Sequence, residues 1–331
     1  MESGINNLNT LLTISIPTWN RASILDKGLA LLLPQIRAFS QFIEVIISDN
    51  ASDDNTQSVV ATKLDEYPDL RIIYNRNSEN IKFFGNFKKC KELAQGKYLW
   101  ILSDDDYVKE HIVETIMQQL QTKNDYALIY LKNDFSLPKL QLNKICKEAF
   151  FAKETYRVGW ISADIFLNDH KHDSQVFETY KDSGFIGFIC LLDAFHNSDN
   201  VLIICGNCLD GSQDKSKGFN YFDTFVNHMN HVIDYMPSVN LSKRLICHFK
   251  RVYLTEFILP KYLVYKAKNK LPFGNFELEP IKEVESWIKK NYSDTYTYWI
   301  LFVPFMIMPA SYLSLALKFK RAIHRKINPE I

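Results

Sequence analysis

"KYLWILSDDDYV", residues 97–108, runs a string of apolar residues straight into three consecutive aspartates. The apolar half predicts a buried strand over 97–104, too short and too rich in β-formers for a helix. The acidic half is harder to account for. One or two acids suit a turn or the start of a helix. A third adjacent carboxylate adds like-charge repulsion that a bound cation relieves.

Working outward, the same alternation of element types recurs on both sides. "LLTISIP" (11–17) alternates Leu12, Ile14 and Ile16 with Thr13 and Ser15 and closes on Pro17, a strand pattern. "RASILDKGLALLLPQIRAF" (21–39) is helical with an interior Pro34, which predicts a bend or break. Strands follow at 42–49 and 70–75, separated by a helix over 56–67. A short helix over 85–96 ends on Gly96 just before the quoted stretch. After it come a helix over 110–120 and a strand over 126–131. Strands alternating with helices at these intervals predict βαβ units and a mostly parallel α/β sheet covered on both faces. Ligands of such sheets lie beyond the carboxyl ends of the strands. Three polar clusters fall there: "PTWNR" (17–21), "SDNASDD" (48–54) and "SDDD" (103–106).

The eleven glycines contain neither GxGxxG nor GxxxxGK[ST], which argues against a dinucleotide oxidoreductase and a P-loop enzyme. Phosphates held without a glycine-rich loop need another neutraliser, and carboxylate-bound Mg²⁺ is one. The net charge of +1 gives no global field for nucleic acid, so no nucleic-acid partner is expected. Six cysteines are too few for a disulfide scaffold in 331 residues and read as reduced thiols. Cys205 and Cys208 form one CxxC, but the His170/His172 and His228/His231 pairs do not lie at finger spacing from it. The first residues carry no basic region before their short apolar run, so no secretory leader is expected.

"TISIPTWNR", "VIISDNASDDNT" and "NIKFFGNFKKCKELAQGKYLWILSDDD", in that order and spacing, resemble the nucleotide-sugar half of family-2 glycosyltransferases of the GT-A fold over roughly residues 11–131. "WILSDDD" with the later "GWISADIFL" (159–167) is similar more narrowly to abequosyltransferase-like enzymes of O-antigen synthesis. The resemblance implies a nucleotide-binding half over 1–131, an acceptor-binding half over 132–215 and a helical region over 216–331. It implies inverting transfer of a sugar from a nucleotide-diphosphate donor to a saccharide acceptor, lipid-linked in surface polysaccharide synthesis, with Mn²⁺ or Mg²⁺ as cofactor. The metal falls to Asp104, Asp105 or Asp106. Here Ser103 replaces the family's first aspartate, so a D-x-D reads as Asp104 with Asp106, whereas strict alignment gives Asp105. Asp49 matches the aspartate that meets the nucleotide base. Pro17, Thr18, Asn20 and Arg21 match the first loop, with Arg21 facing phosphate or the acids. Asn80, Lys82 and Asn86 are expected donor contacts. Ser52 and Asp54 read either as site residues or as caps of the next helix. Trp19 and Trp100 read as packing residues.

The acceptor hydroxyl needs a carboxylate base. The family's Glu-Asp pair is missing from "VFETYKDSGFIGF" (176–188), which leaves Asp182 as the nearest equivalent and Glu178 as the alternative. Asp182 reads equally well as a helix cap. Two rivals remain: a nucleotidyltransferase, disfavoured because "PTWNR" lacks a glycine- and lysine-rich first loop, and a degenerate module that binds sugar nucleotides without turnover. At the other end, residues 298–317 are uncharged but interrupted by Pro304 and Pro309. Tyr312, Leu315, Ala316, Phe319, Ala322 and Ile323 then recur at helical spacing opposite Lys318, Lys320, Arg321, His324 and Arg325. That pattern predicts a helix lying in a membrane interface, peripheral on the cytoplasmic face of the inner membrane, with docking on the protein core as the alternative.

Overall fold

The computed structural model describes residues 10–122, 125–154, 159–181, 183–211, 217–271 and 275–313. The chain divides into two compact units: residues 1–150 with 157–214, and residues 151–156 with 215–331.

The first unit alternates strands and helices as the hydrophobic pattern requires. In order they are β1 (Leu12–Thr18), α1 (Ala22–Ile36), β2 (Ile43–Asp49), α2 (Thr56–Glu66), β3 (Arg71–Arg76), α3 (Lys82–Leu93) and β4 (Tyr98–Ile101). Then follow β5 (Asp106–Val108), α4 (Ile112–Leu120), β6 (Leu128–Asn133), β7 (Gln141–Cys146) and α5 (Lys147–Glu154), the last of which passes out of the unit. The unit ends with β8 (Asp164–Leu167), α6 (Asp173–Thr179), α7 (Ile186–Asp193), β9 (Asn200–Gly206) and β10 (Leu209–Gly211). Eight strands form one mixed sheet in the order β3-β2-β1-β4-β8-β6-β9-β7. Strands β3, β2, β1 and β4 pair in parallel, as do β6 and β9, while β8 and β7 run against their neighbours. This is the GT-A-type, mostly parallel sheet expected.

Details depart from the sequence reading. Helix α1 runs through Pro34 without breaking and tightens into a 3₁₀ turn only at Arg37–Phe39. Proline costs an interior helix one hydrogen bond, and here it sits within the last turn, where little helix remains to disrupt. Strand β1 is central and buried on both faces, so its polar alternates are buried too. Thr13 is satisfied there: its Oγ1 donates to Glu44 Oε1 at 2.6 Å and accepts from Gly96 N at 2.8 Å. Strand β4 stops at Ile101 rather than 104. The chain turns through the acids and re-enters an extended course as β5, which pairs antiparallel with β10. Helix α4 begins only at Ile112. The three aspartates are therefore not its cap.

The second unit comprises β11 (Lys217–Asn220), α8 (Met229–Tyr235), α9 (Lys243–Val252), α10 (Leu259–Lys268), β12 (Asn275–Glu277), α11 (Ile281–Tyr292) and α12 (Val303–Ile307). Its core is aromatic, with Tyr253, Tyr262, Tyr292, Phe222, Phe249 and Phe302 buried. Among the described residues no helix is long and apolar enough to cross a membrane.

Candidate active site

The parallel strands β1, β2 and β4 end side by side, so the loops that follow them converge. Each loop is locked by groups the sequence placed there for other reasons. Asn20, in the left-handed region at φ +53°, donates its backbone N–H to Ser52 Oγ at 2.9 Å, and its Oδ1 accepts from Asp53 N at 2.7 Å. Asparagine is among the few residues that tolerate that conformation. Asp54 does act as a cap, and a double one: one oxygen accepts from Thr56 N and Oγ1, the other from Ala22 N at the start of α1. Burial alone would raise its carboxyl, but these donors outweigh it and hold it low.

The acid triplet divides by environment. Asp104 is turned inward. Thr18 Oγ1 donates to its Oδ2 at 2.8 Å and Arg21 Nη1 to its Oδ1 at 2.7 Å. Burial raises its carboxyl despite the Arg21 charge. Both Asp104 oxygens are thus engaged inside the protein, by Thr18 and Arg21. Asp105 is partly open; Ser103 Oγ donates to its Oδ1 at 2.5 Å and Arg21 Nη1 lies 3.2 Å from its Oδ2. Ser103 thus fills the family aspartate's position as a donor to Asp105. Asp106 begins β5 and accepts from Trp160 Nε1 at 2.7 Å. Its carboxyl is pushed up to about 6 by burial, against hydrogen bonds from Ser162 and Trp160 and with help from the Asp105 and Asp104 charges.

Two of the three carboxylates, Asp104 and Asp105, therefore share one guanidinium, and Asp106 has no cationic partner among the described residues. A set of hard oxygen donors carrying excess negative charge suits Mg²⁺ or Mn²⁺, and the strain on Asp106 is of the kind a cation removes. Asp105 and Asp106 are the residues that fit that ion.

The other expected contacts scatter. Pro17 lies within β1, one residue before its end at Thr18, and Asn80 and Lys82 are exposed, with Lys82 N and Asn50 Nδ2 both donating to Asn80 Oδ1. Asn86 is buried and faces inward: its Oδ1 accepts from Ser48 Oγ and Asn77 Nδ2, while its Nδ2 donates to Ser48 O. It pins the end of β2 and is not presented to a donor. Asp49 is fully buried, accepting from Ser52 N at 2.9 Å and Tyr74 Oη at 2.7 Å, with Arg76 Nε at 3.5 Å. Trp100 packs as expected, its Nε1 donating to Ser162 O at 2.8 Å. Trp19 does not: it is 51% exposed, because it sits on the loop beyond the buried end of β1. Asp182 lies outside the described residues, and Glu178 is exposed on α6. Trp160 and Ser162 were missed as site residues, although "GWISADIFL" contains both. Ser162 Oγ also accepts from Ser103 N at 2.9 Å, so the 3₁₀ turn Ile161–Ala163 that precedes β8 braces the acid turn.

Residues 13–169 match the profile of Glycosyl transferase family 2. This stretch is a family-2 glycosyltransferase domain. A stretch of 118 residues is 36% identical to the abequosyltransferase RfbV of Salmonella typhimurium, covering 36% of this chain and 35% of that one. The match thus spans about a third of that relative's length. Among solved structures, the chain resembles TarS residues 1–349 of S. aureus in complex with UDP, at TM-score 0.59 and 14% identity, over 95% of this chain and 87% of that one. It also resembles the mannosyltransferase PcManGT of Pyrobaculum calidifontis in complex with GDP-Man and Mn²⁺, at TM-score 0.51 and 13% identity, covering 93% and 86%. At such identities these two likenesses concern the fold.

Proposed function

We propose that this chain is an inverting glycosyltransferase that moves a sugar from a nucleotide-diphosphate donor to a saccharide hydroxyl. The observation that carries the reading is the convergence of three strand-end loops on a carboxylate cluster with a single arginine, within a family-2 domain. The acceptor oxygen attacks the anomeric carbon as the bond to the diphosphate breaks. The acceptor proton passes to a carboxylate, for which Asp182 is the candidate and Glu178 the alternative. The product anomer is inverted, and the nucleoside diphosphate leaves.

Asp105 and Asp106 would hold Mn²⁺ or Mg²⁺, which supplies positive charge to the diphosphate when bound. Arg21 and Thr18 fix Asp104 so that the acid turn keeps its shape without the ion. Ser52, Tyr74 and Arg76 surround Asp49, so a nucleotide base meets this group as a unit. Exposed Trp19 offers a ring face at the same edge. The mannosyltransferase neighbour's complex with GDP-Man and Mn²⁺ supports donor and metal classes of this kind.

The acceptor in this reading is a lipid-linked saccharide, and the protein is peripheral on the cytoplasmic membrane face. The described residues add support in the second unit. Trp299, Ile300, Ile307 and Tyr312 are each more than half exposed, a run of large apolar side chains of the kind that enters a membrane interface. The helix read from Tyr312 to Arg325 lies outside the described residues beyond Leu313.

The test is incubation with Mn²⁺ and a panel of nucleotide sugars. Slow nucleoside-diphosphate release from one donor, lost in Asp105→Ala, is expected. Pyrophosphate release would favour a nucleotidyltransferase, and donor binding without turnover, even with saccharide acceptors, a degenerate module.

A further inference from the structure

A second cluster of ligand-type side chains lies at the opposite end of β4 from the acids. The chain leaves β8 at Leu167, and Asn168 N donates to Lys97 O, at the residue preceding β4. From Lys97 to Ile101, after which the chain turns into the acids, is four strand steps, roughly 13 Å at about 3.3 Å each. Just beyond Asn168, His172 caps the start of α6. Asp193 ends α7, and His196 ends the 3₁₀ turn that follows. Their ligand atoms all lie within 4.8 Å of one another.

One hydrogen bond, between His172 Nδ1 and Asp193 Oδ1, and one longer approach from His196 link the three side chains. His172 Nδ1 lies 3.1 Å from Asp193 Oδ1, and His196 Nε2 lies 3.6 Å from the same oxygen. The second distance is beyond hydrogen-bond range. Zinc bonds of about 2.0–2.1 Å in a tetrahedron put neighbouring ligand atoms about 3.3 Å apart, between these two values. The histidine rings meet edge to face at 4.9 Å. The Asp193 side chain is only 7% exposed, whereas His172 and His196 are 40% and 29% exposed, so solvent can reach a fourth position. The surrounding charges are already matched elsewhere. Lys91 Nζ lies 2.8 Å from Asp173, which also holds His170 Nδ1 at 2.7 Å.

We propose that His172, Asp193 and His196 bind one zinc ion, distinct from the carboxylate site, which clips the start of α6 to the end of α7. Two imidazoles and one carboxylate suit a borderline ion such as Zn²⁺, whereas carboxylates and water suit Mg²⁺ and Mn²⁺. The clip would have a structural consequence at the far end of this helix pair. Phe185, at the start of α7, lies against Gly159, where an added Cβ would come within 3.3 Å of its ring. Gly159 is next to Trp160, which holds Asp106. Zinc at the foot of the α6–α7 pair would therefore steady the turn that abuts the acid site.

The test is calorimetric titration of the metal-stripped full chain with Zn²⁺ in saturating Mg²⁺, which masks the carboxylates. One equivalent is expected in the wild type and in Asp105→Ala/Asp106→Ala, with affinity lowered at least tenfold in His172→Ala, His196→Ala and Asp193→Asn. Thermal melts should show a zinc-dependent rise in Tm for the wild type that His196→Ala lacks. If a variant fails to fold, Co²⁺ bound to the wild type reports the same site through intense visible absorption, which equimolar Zn²⁺ should abolish. No zinc binding by the wild type would overturn the proposal. So would undiminished affinity in folded His196→Ala, or loss of the zinc site in the Asp105/Asp106 variant. None of these readouts depends on sugar transfer.

Discussion

Asp106→Asn should stabilise the metal-free protein, an unusual direction for a residue assigned to a site. The Asp106 carboxyl is raised from 3.8 to about 6, with burial the largest cause. The folded state therefore binds this proton more tightly than the unfolded chain does. Above pH 6 the folded protein holds an ionised carboxylate in a place that disfavours it. A rise of that size corresponds to at most roughly 3 kcal/mol of lost stability, at about 1.4 kcal/mol for each tenfold change in proton affinity. Asparagine keeps an oxygen for Trp160 and carries no charge. In EDTA at pH 8 the variant should melt about 5–10 °C higher, taking 2–4 °C per kcal/mol for a unit of this size. The gain should shrink as pH falls through 6 and vanish near 3.8, where the carboxyl is protonated in both states. Added Mn²⁺ should reverse the ranking, because only the wild type gains a full ligand set. Scanning calorimetry from pH 4 to 8, with and without Mn²⁺, reads all of this. If the variant is no more stable than wild type at pH 8 in EDTA, Asp106 is not strained by burial and its neighbours, and the case for a cation there loses its electrostatic basis.

Arg21→Ala should destabilise by about 2–3 kcal/mol in urea melts, because it leaves the buried Asp104 charge without its partner, and Asp104→Asn in the same chain should recover much of the loss. Gly96→Ala should destabilise by a similar amount or more, since the new Cβ would come within 2.5 Å of Thr13 N and 2.8 Å of Leu12 C, both backbone atoms of the central strand. Asp182→Asn should lower turnover on the order of 10²–10⁴-fold with donor affinity little changed, measured as single-turnover rate against donor titration; a loss of only a few-fold would move the base to Glu178. Full-length protein should co-sediment with anionic vesicles at low salt, and Trp299→Ser/Ile300→Ser should weaken it. Failure of the full chain to sediment would return the 296–331 segment to the protein core.

The sequence by itself determined the strand and helix framework of the first unit. Strands such as Ile43–Asp49, buried at all seven positions, must be apolar throughout most of their length, and the turn residues between strands and helices are nearly as constrained. That is why β1 to β4, their helices and the acid cluster at a strand end were legible in the chain alone. Tertiary structure decided what each acid does. Three identical side chains in a row differ only in what folds against them: Thr18 and Arg21 for Asp104, Ser103 for Asp105, and Trp160 with Ser162 for Asp106. The insertion of β8 between β4 and β6 was likewise invisible, because neighbouring strands in the chain need not be neighbours in the sheet. Histidine shows the limit most sharply. His170 and His172 lie two residues apart in the chain at no recognisable ligand spacing, and folding gives His170 to Asp173 and turns His172 toward Asp193 and His196. Short-range pattern fixes backbone course because hydrogen-bond geometry is local. Side chains twenty residues apart meet only where packing of the helices brings them.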